Sequence, residues 1–284
     1  MANVRIIYDD AAERATITAG AGQSASGYDP AGLKTNTKSL AHRSTGTSIT
    51  YTLTWSSDEA INGIILPATN LSSASTIGVV AKNSSGTTIY NHNSGTAVAA
   101  CTSTALDYYP GVKNVNSFPY GGLSKTAVWF TSTNLTTIRS LEITLNRGTN
   151  PTANPAYPSY IDCSRIICGK YWEPQLGVDK GGLDLTVADT TQTSRSDTGD
   201  LYTDRGTIYD QLNFNLSVLT KQDKEDLVKI FKYVGGYRNI AVSVFPEGNT
   251  RNEQDYVIYG KRETSGISYL VHNYFSNSFS ITGW

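Results

Sequence analysis

The chain has 284 residues and a formal net charge of −1, and only 17% of its residues are charged. The length allows one large hydrophobic core or two modest ones. A nearly neutral chain has no long-range field that would attract phosphate backbones or anionic lipid, so we do not expect a nucleic-acid-binding protein. No apolar run reaches membrane-spanning or signal-peptide length. Ser, Thr and Asn replace many of the usual charged residues, which favours sheets over helices.

Alternation of apolar and polar residues predicts strands throughout the first half of the chain. In the clearest case Ile49, Tyr51, Leu53 and Trp55 alternate with Ser and Thr. Further strands are predicted at 61–66, 76–82, 87–91, 127–130 and 141–145. Because no helical period precedes residue 160, we expect an N-terminal β-sandwich of the jelly-roll type.

A strand predicted at 160–169 closes this half, and turn-forming residues after Trp172 mark the boundary between two domains, 1–172 and 173–284. Cys163 and Cys168 fall on that strand. If the strand is straight, five residues at about 3.3 Å each separate them by about 16 Å, too far for a disulfide. Cys101 makes the cysteine count odd and could pair with either of them, but we expect three reduced thiols in a protein made in a reducing compartment.

The second half is predicted to be a β domain with one helix. Alternating strands at 183–187 and 212–218 flank the polar segment 190–206, which is too polar to bury. A helix is predicted at 221–234, capped by Thr220 and ended by two glycines. Later strands are predicted at 240–245, 256–259 and 279–281.

Catalytic signatures are absent from the sequence. The three histidines stand in no motif, and the chain has no nucleophile elbow, zinc-protease motif or phosphate-binding loop. Three acidic clusters, Asp9-Asp10, Asp58-Glu59 and Asp197/Asp200/Asp204, would suit a polysaccharide hydrolase if a carboxylate pair lay about 5–10 Å apart. Acidic residues are common in turns, so we predict no catalytic residue, no cofactor and no metal, and keep a polysaccharide-degrading enzyme as a lesser alternative.

Three tyrosines in loops rich in Gly, Pro and Asn are candidate contacts for carbohydrate or for a protein partner. They are Tyr108, Tyr109 and Tyr120. A tyrosine ring offers a flat apolar face with a polar rim, which suits stacking on a sugar. The alternative is that these rings pack on the end of the sandwich.

Charges of both signs lie in the polar segment 190–206, which we call the arm. They are Arg195, Asp197, Asp200, Asp204 and Arg205. Mixed charges suit a neighbour that carries the same surface, so these side chains are candidate contacts between subunits of a closed homo-oligomer. The alternative is a mobile solvent loop.

The chain resembles tail-tip, or baseplate, proteins of long flexible-tailed bacteriophages. The resemblance covers most of the chain, and the segments that carry it are RIICGKYWEP (165–174), RSDTGDL (195–201), TDRGT (203–207), LPATNL (66–71) and LKTNTKS (33–39). It implies a galactose-binding-like jelly roll followed by a domain like the distal tail protein or tail tube.

This resemblance implies a structural virion protein that is assembled in the host cytoplasm. It implies a ring, commonly sixfold, at the distal end of the tail tube, with tube, hub and fibre proteins as partners. The sandwich domains would face outward and could bind a host-surface glycan. The second interpretation of the sequence is a stand-alone carbohydrate-binding module or lectin.

Overall fold

The structure, a computed structural model, describes residues 3–72, 74–100, 124–131, 135–148, 159–179, 181–248, 250–263, 266–270 and 274–284. It divides into two compact units. Unit 1 comprises Met1–Glu173 and Ala241–Val257, and unit 2 comprises Pro174–Ile240 and Ile258–Trp284. The sequence prediction assigned 241–257 to the second domain, whereas the structure groups this segment with unit 1. Whether 1–172 and 173–284 fold independently stays a prediction.

The secondary structure consists mainly of strands. In chain order they are β1 (Arg5–Ile7), β2 (Thr16–Ala19), β3 (His42–Arg43), β4 (Ser48–Glu59), β5 (Gly63–Thr69), β6 (Thr76–Lys82), β7 (Thr88–Asn91), β8 (Val98–Ala99), β9 (Ser124–Trp129), β10 (Ile138–Asn146), β11 (Asp162–Cys163), β12 (Ile167–Gly169), β13 (Tyr171–Trp172), β14 (Leu183–Asp189), β15 (Gln192–Arg195), β16 (Leu201–Asp204), β17 (Ile208–Leu219), β18 (Asn239–Ser243), β19 (Val257–Arg262), β20 (Ile267–Tyr269) and β21 (Phe275–Gly283). The α-helices are α1 (Lys221–Val234) and α2 (Arg251–Asp255), and 3₁₀ turns cover Ala11–Arg14, Pro30–Lys34, Lys38–Leu40 and His92–Gly95. No helix in the described part of the chain is long and apolar enough to cross a membrane.

Unit 1 contains a sandwich of two antiparallel sheets. One sheet has the strand order β2-β4-β10-β6-β7, with β8 also paired to β6, and the other has the order β12-β5-β11-β3, with β9 also paired to β5. Apolar side chains from both sheets form one buried cluster, among them Tyr51 of β4 and Leu66 of β5. The prediction of a mainly β protein that begins with a jelly-roll β-sandwich is therefore confirmed.

The predicted strand at 160–169 is interrupted, so the assumption of one straight strand was wrong. Residues 164–166 separate β11 from β12, although both strands pair with β5. The amide of Ile166 donates to the carbonyl of Leu33 and so leaves the ladder. Arg165, which is fully buried, extends to the carboxylates of Asp10 and Glu13 at 2.8 and 3.0 Å. Long-range partners of these two residues therefore divide the strand.

A smaller group of strands in unit 1 depends on the segment 241–257. β1 pairs with β13 and, through Ala241–Ser243, with β18. Helix α2 follows, and its Glu253 accepts a hydrogen bond from Trp129 Nε1 of β9 at 2.6 Å and another from Ser243 Oγ at 3.0 Å. Glu253 is fully buried, so this segment supplies both strand pairing and a buried acceptor to unit 1.

Unit 2 is an antiparallel sheet with one long helix. The strand order is β14-β17-β21-β19, and β20 also pairs with β21. Helix α1 has the predicted bounds and the predicted capping box, in which Thr220 and Asp223 bond reciprocally, and it ends at Gly235. Phe214 stacks on Phe279 at 4.7 Å between ring centroids, and Phe231 of α1 contacts Phe279 edge-on at 5.7 Å.

Candidate functional site

The arm is an extended β-hairpin that continues the β14–β17 pair. Those two strands pair from Leu183↔Phe214 to Asp189↔Ile208, and β15 pairs with β16 from Gln192↔Asp204 to Arg195↔Leu201. Side chains on one face of β14 and β17 begin in the core of unit 2 with Phe214 and continue outward to Val187 and Ile208, which are 63% and 65% exposed. The apolar face of this hairpin therefore extends beyond the core that it helps to form.

The root of the arm is held by hydrogen bonds between its two strands. The amide of Thr207 donates to Thr190 Oγ1 at 2.8 Å, and the amide of Gly206 donates to Thr191 Oγ1 at 3.1 Å. The backbones approach so closely that a Cβ atom on Gly206 would lie 2.3 Å from the carbonyl carbon of Thr190. Only glycine fits at this position without displacing backbone.

The tip of the arm is a defined turn. The amide of Ser196 donates to the carbonyl of Asp200 at 2.9 Å, and the amide of Asp200 donates to Ser196 Oγ at 3.0 Å. Gly199 has a φ of 91°, in the left-handed region that favours glycine. The arm is thus an ordered ribbon with its own turn, whereas the sequence analysis predicted no strands within it.

Both faces of the ribbon β15–β16 are exposed. Every residue of the two strands is exposed, including Leu201 at 58% and Tyr202 at 60%. These adjacent residues point to opposite faces, since side chains alternate along a strand. An isolated two-stranded hairpin is marginally stable at best in water, because it lacks a second layer on which to bury apolar surface.

The five charged residues predicted as inter-subunit contacts all lie on this ribbon or beside it, and all are exposed. Arg195 donates to the carbonyl of Gly199 at 3.0 Å, and Asp200 accepts from Thr198 Oγ1 at 3.0 Å. Within the described residues none of the five forms a salt bridge, so their charges are available to a partner. Their role as contacts stays a prediction.

The three tyrosines predicted as carbohydrate or partner contacts, Tyr108, Tyr109 and Tyr120, lie outside the described residues. The described part of unit 1 contains a different aromatic cluster, which the sequence analysis missed. The guanidinium carbon of Arg43 lies 4.1 Å from the ring centroid of Tyr160 and 4.9 Å from that of Tyr28. Asp162 holds the guanidinium in a bidentate salt bridge with two contacts of 2.8 Å.

This cluster, which we call the Arg43 cluster, is partly exposed. The side chain of Arg43 is 30% exposed, and both tyrosines are half-buried. Tyr28 lies in the loop after β2, Arg43 on β3 and Tyr160 directly before β11, so pairing of β3 with β11 brings them together. Because Arg43 and Asp162 are 119 residues apart, no local sequence signal indicates the cluster.

Two of the three acidic clusters that suggested a hydrolase, Asp9-Asp10 and Asp58-Glu59, are engaged with arginines, and the third lies on the exposed arm. Arg14 pairs with both Asp9 and Glu59 at 2.8 Å, and Arg139 pairs with Asp58 at 2.6 Å. Among the described residues, no group of three or more His, Cys, Asp and Glu side chains lies close enough to hold a metal ion. The arrangement of these carboxylates is therefore that of ion pairs that fix loops and strands.

Asp10 has a distinct role in the fold of unit 1. It caps the first 3₁₀ turn by accepting from the amide of Ala12, accepts from the amide of Cys168, and pairs with Arg165. Burial raises the pKa of Asp10 to about 6, against the opposing effect of the Arg165 charge. These contacts connect the N-terminal segment to β12.

Three other buried titratable groups, a histidine and two cysteines, lie within the sandwich. His42 is fully buried, with Nδ1 3.0 Å from Tyr51 Oη and Nε2 2.9 Å from Ser24 Oγ, and burial lowers the pKa of His42 to about 4. Cys163 and Cys168 are free and buried, and burial raises the pKa of the Cys163 thiol to about 12. Such thiols are unreactive at neutral pH.

No family model and no curated protein matches the chain. Among solved structures, the lectin domain of lectinolysin complexed with Lewis B antigen is 10% identical, with a TM-score of 0.36, and covers 57% of this chain and 96% of its own length. Chitosan-binding module 1 of a chitosanase/glucanase from Paenibacillus sp. IK-5 is 14% identical, with a TM-score of 0.37, covering 56% and 98%. A fucose-binding module from Streptococcus pneumoniae is 6% identical, with a TM-score of 0.37, covering 58% and 99%.

Proposed function

We propose that this chain is a non-catalytic structural protein that assembles with copies of itself through the arm. The observation that carries the proposal is the ribbon β15–β16, which is ordered but has no second layer on either face. Its exposed apolar side chains, Leu201 and Tyr202, are of the kind that become buried at interfaces, and tyrosine is enriched in interface hot spots. The surrounding Arg and Asp side chains supply charges of both signs for register.

The biological setting of this assembly is the one that the sequence resemblance implies, a ring in the tail tip of a bacteriophage. In a ring built from heterologous contacts, each subunit contacts its two neighbours through two different, complementary surfaces. An arm that protrudes from a compact sheet can supply one of these two surfaces. The sixfold copy number and the tube, hub and fibre partners are proposals that depend on the resemblance.

Native mass spectrometry and sedimentation velocity of the full chain test the assembly. We expect the wild type to associate with rising concentration, and we expect Leu201→Ser combined with Tyr202→Ser to weaken association by at least about tenfold, the effect of one lost hot-spot contact. Tyr269→Ser is the matched control, since Tyr269 is also on unit 2 and is 64% exposed. A wild type that stays monomeric up to the highest soluble concentration would contradict the proposal, as would equal association of all three proteins.

Carbohydrate binding by unit 1 is a second candidate function, and the Arg43 cluster favours it. A sugar ring is recognised by aromatic faces that contact its C–H groups and by charged side chains that bond its hydroxyls. The cluster supplies two tyrosine rings and a guanidinium on one partly exposed site, and the buried Asp162 carboxylate fixes the guanidinium from behind. The solved structures to which the chain is similar include modules described as binding fucose and chitosan, but the candidate depends on the cluster and not on that likeness.

A glycan array probed with the full chain tests the second candidate. We expect binding that Tyr28→Ala reduces at least tenfold, because Tyr28 contributes a ring face without being part of the Arg43–Asp162 salt bridge. Tyr269→Ala, at a more exposed tyrosine of unit 2 that lies on neither the arm nor the Arg43 cluster, is the control and should bind as the wild type does. Absence of any glycan signal from the wild type would remove this candidate.

A further inference from the structure

A second surface of unit 2 has the properties of a binding platform. It consists of Tyr233, near the end of α1, and Tyr237 and Arg238, which follow the two glycines that terminate the helix. We call it the α1 platform. The guanidinium carbon of Arg238 lies 4.2 Å from the ring centroid of Tyr233, and Arg238 Nε donates to Tyr237 Oη at 2.8 Å. The three side chains therefore hold one another in a fixed arrangement.

The platform is exposed in the monomer. Tyr237 is 69% exposed, the highest value among the large apolar side chains reported for the described residues, and Tyr233 is 39% exposed. Within the described residues Arg238 forms no salt bridge, so its charge is compensated only by the tyrosine hydroxyl and ring faces. Tyrosine and arginine provide large contact area at low conformational cost when they are held in place, which is why both are enriched in interface hot spots.

The charges near the platform are complementary to those of the arm. From 229 to 238 the chain carries Lys229, Lys232 and Arg238 and no carboxylate. From 190 to 206 the arm carries three aspartates and two arginines, a net charge of −1, and Asp189 directly precedes it. Lys229 already pairs with Asp226 at 3.3 Å, which leaves Lys232 and Arg238 as the basic groups for a partner.

Both surfaces also carry exposed apolar side chains that can pack against each other. The ribbon presents Leu201 and Tyr202 beside Asp200 and Asp204, and the platform presents tyrosine rings beside a guanidinium. Arginine pairs with carboxylates in bidentate geometry, while the aromatic rings of one surface can pack on the apolar side chains of the other. The ribbon thus combines exposed apolar side chains with a small net negative charge, and the platform combines tyrosine rings with a net positive charge.

We propose that the α1 platform of one copy receives the arm of a second copy. This inference rests on the proposed function, since it assumes that the arm mediates assembly, and it adds the surface that the arm contacts. The contact joins two different surfaces and is therefore heterologous. A heterologous contact generates a ring where the rotation closes and an open filament where it does not.

Cross-linking between two differently labelled copies tests the contact. In a Cys101→Ser background, one protein carries Thr203→Cys on the arm and the other carries Gly236→Cys beside the platform, so that Tyr202 and Tyr237 are kept, and a short bismaleimide is added to each alone and to the mixture. Cys163 and Cys168 are buried and should not react. We expect the covalent dimer in the mixture only. Dimers that form equally in the Thr203→Cys protein alone would indicate an arm-to-arm contact and overturn the inference.

Charge reversal separates this inference from the proposed function. Arg238→Glu should weaken association by at least about tenfold, and Asp200→Arg in the same chain should restore part of the loss, because the reversed pair attracts again. Lys261→Glu, a change of the same charge at another exposed position of unit 2, is the control. If removal of Leu201 and Tyr202 abolishes association but Arg238→Glu and Lys261→Glu do not, the arm mediates assembly through another surface and only the further inference fails.

Discussion

At the scale of single residues, two buried groups of unit 1 respond to acid in opposite directions. His42 is neutral in the folded protein because burial lowers its pKa to about 4, while an unfolded histidine titrates near 6.5. Asp10 is partly protonated near pH 6 in the folded protein, because burial raises its pKa from 3.8 to about 6. Between pH 6.5 and 4 the unfolded chain therefore binds the extra proton at His42, and the folded chain binds it at Asp10.

For His42 we expect a contribution to stability that is complete above pH 6.5 and is lost as the pH falls toward 4. The loss is on the order of 2 kcal/mol, since each unit of pKa difference corresponds to about 1.4 kcal/mol and partial screening reduces the total. His42→Gln should remove this loss, so its unfolding free energy relative to the wild type should rise on acidification. Urea unfolding at pH 7.5, 6, 5 and 4.5 measures the difference, and parallel curves for both proteins would contradict the shifted pKa.

Asp10→Asn is the matched variant, and its stability relative to the wild type should change with pH in the opposite direction. The wild type gains stability at Asp10 as the pH falls from 6 to 4, because the folded protein is protonated first and the cost of the buried charge disappears. The variant has no such gain, so its unfolding free energy relative to the wild type should fall on acidification by a similar amount. The same urea series measures it, and a relative stability that is constant from pH 7.5 to 4.5 would show that Asp10 is not the group concerned.

At the scale of secondary-structure elements, the root of the arm determines whether the ribbon keeps its direction. Gly206→Ala places a Cβ atom 2.3–2.4 Å from backbone and side-chain atoms of Thr190 and Thr191, so the two strands must separate there. We expect amide hydrogen exchange in 192–195 and 201–204 to accelerate at least tenfold, while exchange in α1 is unchanged. Gly236→Ala is the control, because nothing lies within 4 Å of its added Cβ atom. Equal protection in both variants would mean that the close approach does not hold the ribbon.

The elements that could be predicted from the sequence are those specified by local chemistry. Both ends of helix α1 were predicted because the residues that mark them, Thr220, Asp223 and Gly235, lie in the helix or directly beside it in the sequence. The break between β11 and β12 was missed because it depends on Leu33 and Asp10, more than a hundred residues away. The Arg43 cluster was missed for the same reason. The α1 platform is local in sequence, and it was missed because Tyr237 and Arg238 follow the end of the helix and form no part of its apolar period.

At the scale of the whole molecule, the chain leaves unit 1 at residue 173 and returns to it at residue 241. Truncation after residue 172 would remove the β18 residues that pair with Ile6 and Ile7, together with Glu253, the acceptor for Trp129 Nε1. A buried donor left without its acceptor costs about 1–3 kcal/mol, and the strand pairing is lost in addition. Unit 1 is therefore built from two separate segments of the chain.

We accordingly expect the fragment 1–172 to be much less stable than unit 1 in the full chain. Hydrogen exchange of a peptide that covers β1 should be at least tenfold faster in the fragment, while the inner strand β4 should change less, because its partners β2 and β10 remain. In the full chain, Glu253→Ala should reproduce part of the loss, whereas Glu253→Gln retains an oxygen acceptor for Trp129 and should be milder. If the fragment protects β1 as well as the full chain does, the return of the chain at 241–257 is not needed for the fold of unit 1, and 1–172 is a complete domain.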